Sequence, residues 1–93
     1  VNSPTHTPAP KPVSVRAQTA QLVATVASQA KEARHQVYGR VYTRLGFLYG
    51  IDIHKLPRNK GESLLLVAEQ HDLIDKVYAL AYAEHLYLLA NEE

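Results

Sequence analysis

The chain has 93 residues, no cysteine, methionine or tryptophan, and a formal net charge of +1. That length allows one domain, and the lack of thiols excludes disulfide frameworks, cysteine-ligated zinc or iron–sulfur centres and thiol nucleophiles. No apolar run approaches the ~18 residues of a membrane span, so a cytoplasmic location without a membrane partner is expected. The first residue is Val1 rather than methionine. The expectation is therefore an accessory domain cut from a longer protein.

Residues 1–13 carry Pro4, Pro8, Pro10 and Pro12. Each proline removes a backbone donor and pushes its predecessor toward extended geometry. With little apolar surface to offset ordering entropy, this segment reads as a linker or tail, and residues 14–93 as the helical domain. A polyproline ligand is the alternative reading of the same run.

Ser14 is a good N-cap residue. Beyond it, Val15, Thr19, Leu22, Val26, Ala30, Ala33, Val37, Val41, Leu45 and Leu48 form one stripe with a period of about 3.67 residues, close to the helical repeat. Gly39 is a weak point within it, or a mark of close helix contact. Gly46 and Gly50 end it. One helix over residues 15–48 would be roughly 50 Å long, against a diameter near 30 Å for a compact chain of this size. Either it breaks, between Ala33 and Gly39, or a second subunit covers the overhang.

The connection from Tyr49 to Pro57 is too apolar for a free linker, and Ile51, Ile53 and Leu56 are expected to tuck beneath the helices. Asn59 with Glu62 has capping-box spacing, and Ser63 competes as the cap. From Ser63 to Ala90 the pattern is helical, with a break at His71-Asp72 and Asp72 with Asp75 as candidate caps for a further helix. Ile74, Val77, Tyr78, Leu80, Ala81, Tyr82, Leu86, Tyr87, Leu88 and Leu89 nearly encircle that last helix. A helix apolar on most sides packs on several neighbours, and a chain this small points to homo-oligomerisation through it.

Catalysis is not expected. His71 and Asp75 have the spacing of two metal ligands on one helix face, but nothing supplies further ligands, so no metal or other cofactor is expected. There is no His-Glu-x-x-His run, phosphate-binding glycine loop or nucleophile elbow, and Ser63 and Thr43 lack an obvious base. The six tyrosines include Tyr38/Tyr42 and Tyr78/Tyr82 at i, i+4. Each pair makes a ledge, for packing between helices or, at Tyr38 and Tyr42, for stacking bases.

Charge divides along the chain. From Ser14 to Lys60 eight bases face two acids, a net +6; from Gly61 to Glu93 seven acids face one base, a net −6. Opposite charge favours packing one half on the other and steers assembly. The competing use is a basic face for nucleic-acid phosphates, with Arg34, Arg40, Arg44, Lys55, Arg58 and Lys60 as candidates.

The stretch Ala33-Arg34-His35-Gln36-Val37-Tyr38-Gly39-Arg40-Val41-Tyr42, followed by Leu45, Tyr49-Gly50-Ile51 and Leu56-Pro57, resembles the C-terminal helical domain of phage antirepressor and Rha-type regulatory proteins. The resemblance covers about residues 33–70. It departs after the proline, at Asn59-Lys60-Gly61-Glu62-Ser63-Leu64, and in the more apolar last helix. It implies a module attached to an N-terminal DNA- or repressor-binding domain, and assigns no site to any residue here.

The expected fold is all-α, a long helical hairpin or three-helix arrangement completed by homo-oligomerisation. The expected function is oligomerisation and partner binding within a regulatory protein, with Val37, Val41, Leu45, Leu48, Ile74, Val77, Leu80, Ala81 and Leu88 as core and interface. The alternatives are a non-specific nucleic-acid-binding module, with DNA as partner, and an adaptor helix domain for another regulatory protein.

Overall fold

In the computed structural model, which describes residues 13–91, the Ser14 hydroxyl accepts from the Ala17 amide at 3.1 Å and starts α1 (Val15–Ala30). Three further helices follow among the described residues: α2 (Arg34–Tyr49), α3 (Leu64–Gln70) and α4 (Ile74–Ala90), with a 3-10 turn at Ile53–Lys55. The fold is all-α, with no strand among the described residues. The proposed linker lies outside the described residues, apart from Val13.

The long stripe breaks, and it does so at Lys31-Glu32-Ala33, just before the interval where a break was expected. Lys31 takes the left-handed conformation (φ 58°). The Glu32 amide then reaches back to the Ala27 carbonyl at 2.9 Å, the six-to-one bond of a Schellman ending. On the far side, the Ala33 amide donates to Gln36 Oε1 at 2.9 Å and satisfies one orphan donor of α2. Folding back lets both halves of the stripe enter one core. Thr19, Val26, Val37, Val41 and Leu45 are buried, whereas Ala33 at the corner and Leu48 near the end are exposed.

Gly50 ends α2 with φ 68°. Beyond it the apolar connection turns inward: Ile53 is buried, and Ile51 and Leu56 pack against the core. The two capping expectations at Asn59 and Ser63 are both met in part. Glu62 accepts from the Asn59 amide at 2.9 Å and closes the turn. Ser63 caps α3 itself, accepting from the Leu66 amide at 3.1 Å.

The break at His71-Asp72 is present, but its chemistry differs from the expectation. Asp72 does not cap α4. It is the left-handed residue of the corner (φ 60°), and the Leu73 amide bonds back to the Ala68 carbonyl at 2.7 Å. Leu73 is the N-cap and makes no side-chain cap bond. This corner also separates His71, at the end of α3, from Asp75 in the first turn of α4, so the two do not share a helix face.

α4 is the hub. α1 packs along it most extensively, α2 lies against both, and α3 joins α4 to the 3-10 turn and α1. The core gathers Val23, Val26 and Ala27 from α1, Val37, Val41, Tyr42 and Leu45 from α2, Leu65, Val67 and Ala68 from α3, and Ile74, Val77, Leu80 and Ala81 from α4. The basic first half meets the acidic second half through Arg16–Glu69, which joins α1 to α3, and through the pairs of α2 with α4 described below.

Candidate functional site

Arg40 sits in the second turn of α2 and holds two carboxylates. Its terminal nitrogens grip Glu32 in a bidentate pair at 2.7 and 2.8 Å, and its Nε donates to Glu84 at 3.0 Å. Arg44, one turn on, lies 3.6 Å from the other Glu84 oxygen. Glu84 is only 8 % exposed although it carries a charge. The hydrogen bond to Arg40 lowers the Glu32 carboxyl below its ordinary range. The same bond raises the Arg40 guanidinium further above its already high value. Arg40 thus closes the corner between α1 and α2 and ties both to α4.

The outward side of α4 is different in kind. Ala79, Tyr82, Ala83, Leu86, Tyr87, Leu89 and Ala90 are all exposed. Leu86 is 47 % and Tyr87 69 % accessible. The helix carries charge only at Asp75, Lys76 and Glu84, and Glu84 is turned inward. Asp75, Ala79, Tyr82, Leu86 and Leu89 follow a four-three-four-three spacing, the seam of a heptad repeat. Tyr78 and Tyr82 stack along the helix with centroids 6.2 Å apart. At the end of α2, Phe47 is 88 % and Leu48 64 % exposed. That end is beside the first turn of α4, since Lys76 Nζ lies 5.5 Å from the centre of the Tyr49 ring.

A groove opens on the other side of α2, with a cavity of about 390 Å³ lined by His35, Tyr38, Gly39, Tyr42, His54 and the start of α3. Tyr38 and Tyr42 stack with centroids 5.8 Å apart and planes 18° from parallel. His54 meets Tyr42 edge-on at 6.2 Å. Burial pushes both phenols above their ordinary value, against a counteracting pull from the Arg34 charge at Tyr38. Gly39 does not mark close helix contact: a Cβ there would meet nothing within 4 Å.

These placements divide the residues singled out in the sequence. Val37, Val41, Leu45, Ile74, Val77, Leu80 and Ala81 are buried within one chain, and Leu88 is partly buried against the same core. They form the intrachain core and leave little surface for a partner; of that set only Leu48 is substantially exposed. The broad apolar pattern of α4 therefore covers two environments, and Tyr82, Leu86, Tyr87 and Leu89 are the residues that face outward. Among the basic candidates, Arg40 and Arg44 are drawn to Glu32 and Glu84, whereas Arg34, Lys55, Arg58 and Lys60 are exposed and make no ion pair with a described residue. Sequence reasoning missed the pairing of Arg40 with Glu32, eight residues away across the corner, because it depends on the break at Lys31.

Among the described residues, no group of three or more His, Asp or Glu is placed to hold a metal ion, and no helix is long and apolar enough to cross a membrane. Compared with family models, with curated proteins and with solved structures, the chain has no match.

Proposed function

We propose that this chain is a non-catalytic oligomerisation and protein-interaction domain of a regulatory protein, and that it pairs with a second copy of itself through the outer face of α4. One observation carries this reading: the solvent side of α4 beyond Lys76 presents alanine, leucine and tyrosine without a charged side chain. An exposed apolar patch of more than a few hundred Å² marks an interaction surface. Tyr82, Leu86, Tyr87 and Leu89 keep 44–69 % of their surface accessible, and pairing would cover that face on both copies.

The occupant is best read as another α4. The seam from Ala79 to Leu89 carries no charge, and two antiparallel copies centred on Tyr82 would set Leu86 of one against Ala79 of the other and Tyr82 against its counterpart, as a two-fold interface requires. Pairing would multiply the binding strength of whatever domain the parent protein carries. The resemblance of residues 33–70 to phage antirepressor and Rha-type proteins supports the regulatory setting.

The test is Leu86→Asp, which places a charge on the face without touching the core. Light scattering should give twice the chain mass for the natural sequence and the single-chain mass for Leu86→Asp, with helix content retained. A natural sequence that stays monomeric at high concentration would move the reading to a hetero-partner adaptor. An unchanged mass in Leu86→Asp would place any interface elsewhere.

A further inference from the structure

The groove between α2 and α3 is independent of the α4 face, and its lining differs in chemistry. Tyr38 and Tyr42 form a stacked pair along one wall, His54 stands edge-on to Tyr42, and Leu64 and Leu65 line the opposite side. The volume lies within the range of small-molecule sites. Three exposed cations neighbour its lining residues. Arg34 adjoins His35 and its charge reaches Tyr38. Lys55 follows His54, and the Arg58 charge reaches Glu62 beside Ser63. The acids at the rim are already engaged: Asp52 accepts from the His54 amide at 3.0 Å, and Glu62 holds Asn59 and Gln70.

We infer that this groove binds a nucleotide unit, its base against the half-buried Tyr38, which Tyr42 backs from the core, and its phosphate near Arg34, Lys55 and Arg58. Aromatic faces with nearby uncommitted cations are the pattern that takes single-stranded nucleic acid, since every base offers a π face and every phosphate a charge. A free mononucleotide presents the same chemistry. The arginines that matter are therefore not Arg40 and Arg44, which are held by carboxylates on the far side of α2.

Gly39 supplies the test. It lines the groove, and its missing Cβ would meet no neighbour. Gly39→Leu fills the groove from inside a helix that leucine favours over glycine, so the variant should melt no lower than the natural chain. The 93-residue chain has six tyrosines and no tryptophan, so tyrosine emission follows binding, and the comparison with Gly39→Leu separates quenching in the groove from quenching at the other four. The probes are oligo(dT), adenosine monophosphate and inorganic polyphosphate at low salt.

We expect quenching by a nucleotide probe, and a loss of affinity of roughly ten-fold or more in Gly39→Leu, the share of one stacked base. If oligo(dT) is the ligand, Lys55→Ala/Arg58→Ala should lower its salt slope by about 1.4. Strong quenching by the monophosphate alone identifies a free nucleotide as ligand; quenching only by oligo(dT) identifies a strand. Three results overturn the inference: no quenching by either nucleotide probe, Gly39→Leu binding as well as the natural chain, or polyphosphate quenching as strongly as oligo(dT).

Discussion

Replacing Arg40 by methionine keeps the aliphatic stem and removes the charge that Glu84 and Glu32 share. Glu84 is the residue that makes this costly. Its side chain is almost fully enclosed, and without Arg40 only Arg44 remains, at 3.6 Å from one oxygen. Breaking a fully buried pair typically costs ~3–5 kcal/mol, because one charge is left without compensation. Arg40 itself is substantially exposed and Arg44 stays in place, so the expected loss is about 2 kcal/mol, attributed to Glu84 alone. For a chain of this size that lowers the melting temperature by roughly 8–15 °C. Urea unfolding followed by circular dichroism measures it. The double variant Arg40→Met/Glu84→Leu should recover most of the loss, to within about 1 kcal/mol of the natural chain, because the stranded charge is gone. An Arg40→Met loss below about 0.5 kcal/mol would show a pair no better than an exposed one. A double variant no more stable than the summed single losses would refute the burial argument for Glu84.

Glu32 and Glu62 both have folded-state pKa values below the ordinary 4.5, the first through its hydrogen bond to Arg40 and the second through the Asn59 amide. The unfolded chain therefore binds more protons as pH falls through 4.5, so their stabilisation is full above that value and lost as pH drops through the lowered folded values. Chemical unfolding from pH 6 to pH 2 should show this decline, and a shallower one in Arg40→Met; a flat profile would contradict it. Lys31 occupies the left-handed region without being glycine, at a cost of roughly 1 kcal/mol. Lys31→Gly should raise the urea midpoint by an amount equivalent to about 0.5–1 kcal/mol, and a lowered midpoint would mean that the lysine side chain contributes something beyond its backbone.

Where the pattern rested on burial and local caps, the sequence was a good guide. The 3.67-residue stripe holds the buried Thr19, Val26, Val37, Val41 and Leu45 but passes over Val23, Ala27 and Tyr42; Ser14 and Ser63 cap helices, and His71-Asp72 is a corner. The corner at Lys31-Glu32-Ala33 was harder to place because lysine, glutamate and alanine all favour helix. Nothing local stops the chain there. The break follows from tertiary packing: Val26 and Val37 can both leave water only if the chain doubles back between them, and Arg40 then secures Glu32. The outward apolar residues of α4 could not be separated from the core for a related reason. A window of leucine, alanine and tyrosine has the same composition whether a residue meets α1 or solvent, and only the positions of the neighbouring helices decide which.

That ambiguity gives Glu84 a further consequence. A cylinder apolar on nearly every side has no hydrophobic reason to prefer one rotation about its axis over another, since turning it would exchange one set of leucines and tyrosines for the next. Glu84 ends the degeneracy. Only one setting delivers its carboxylate to both Arg40 and Arg44, and that setting turns Tyr82, Leu86 and Leu89 outward. Its contribution is orientation as much as stability. A chain with this pair replaced by apolar residues can keep its helices and its melting point, yet lose the single rotational setting that gives α4 a defined outer face.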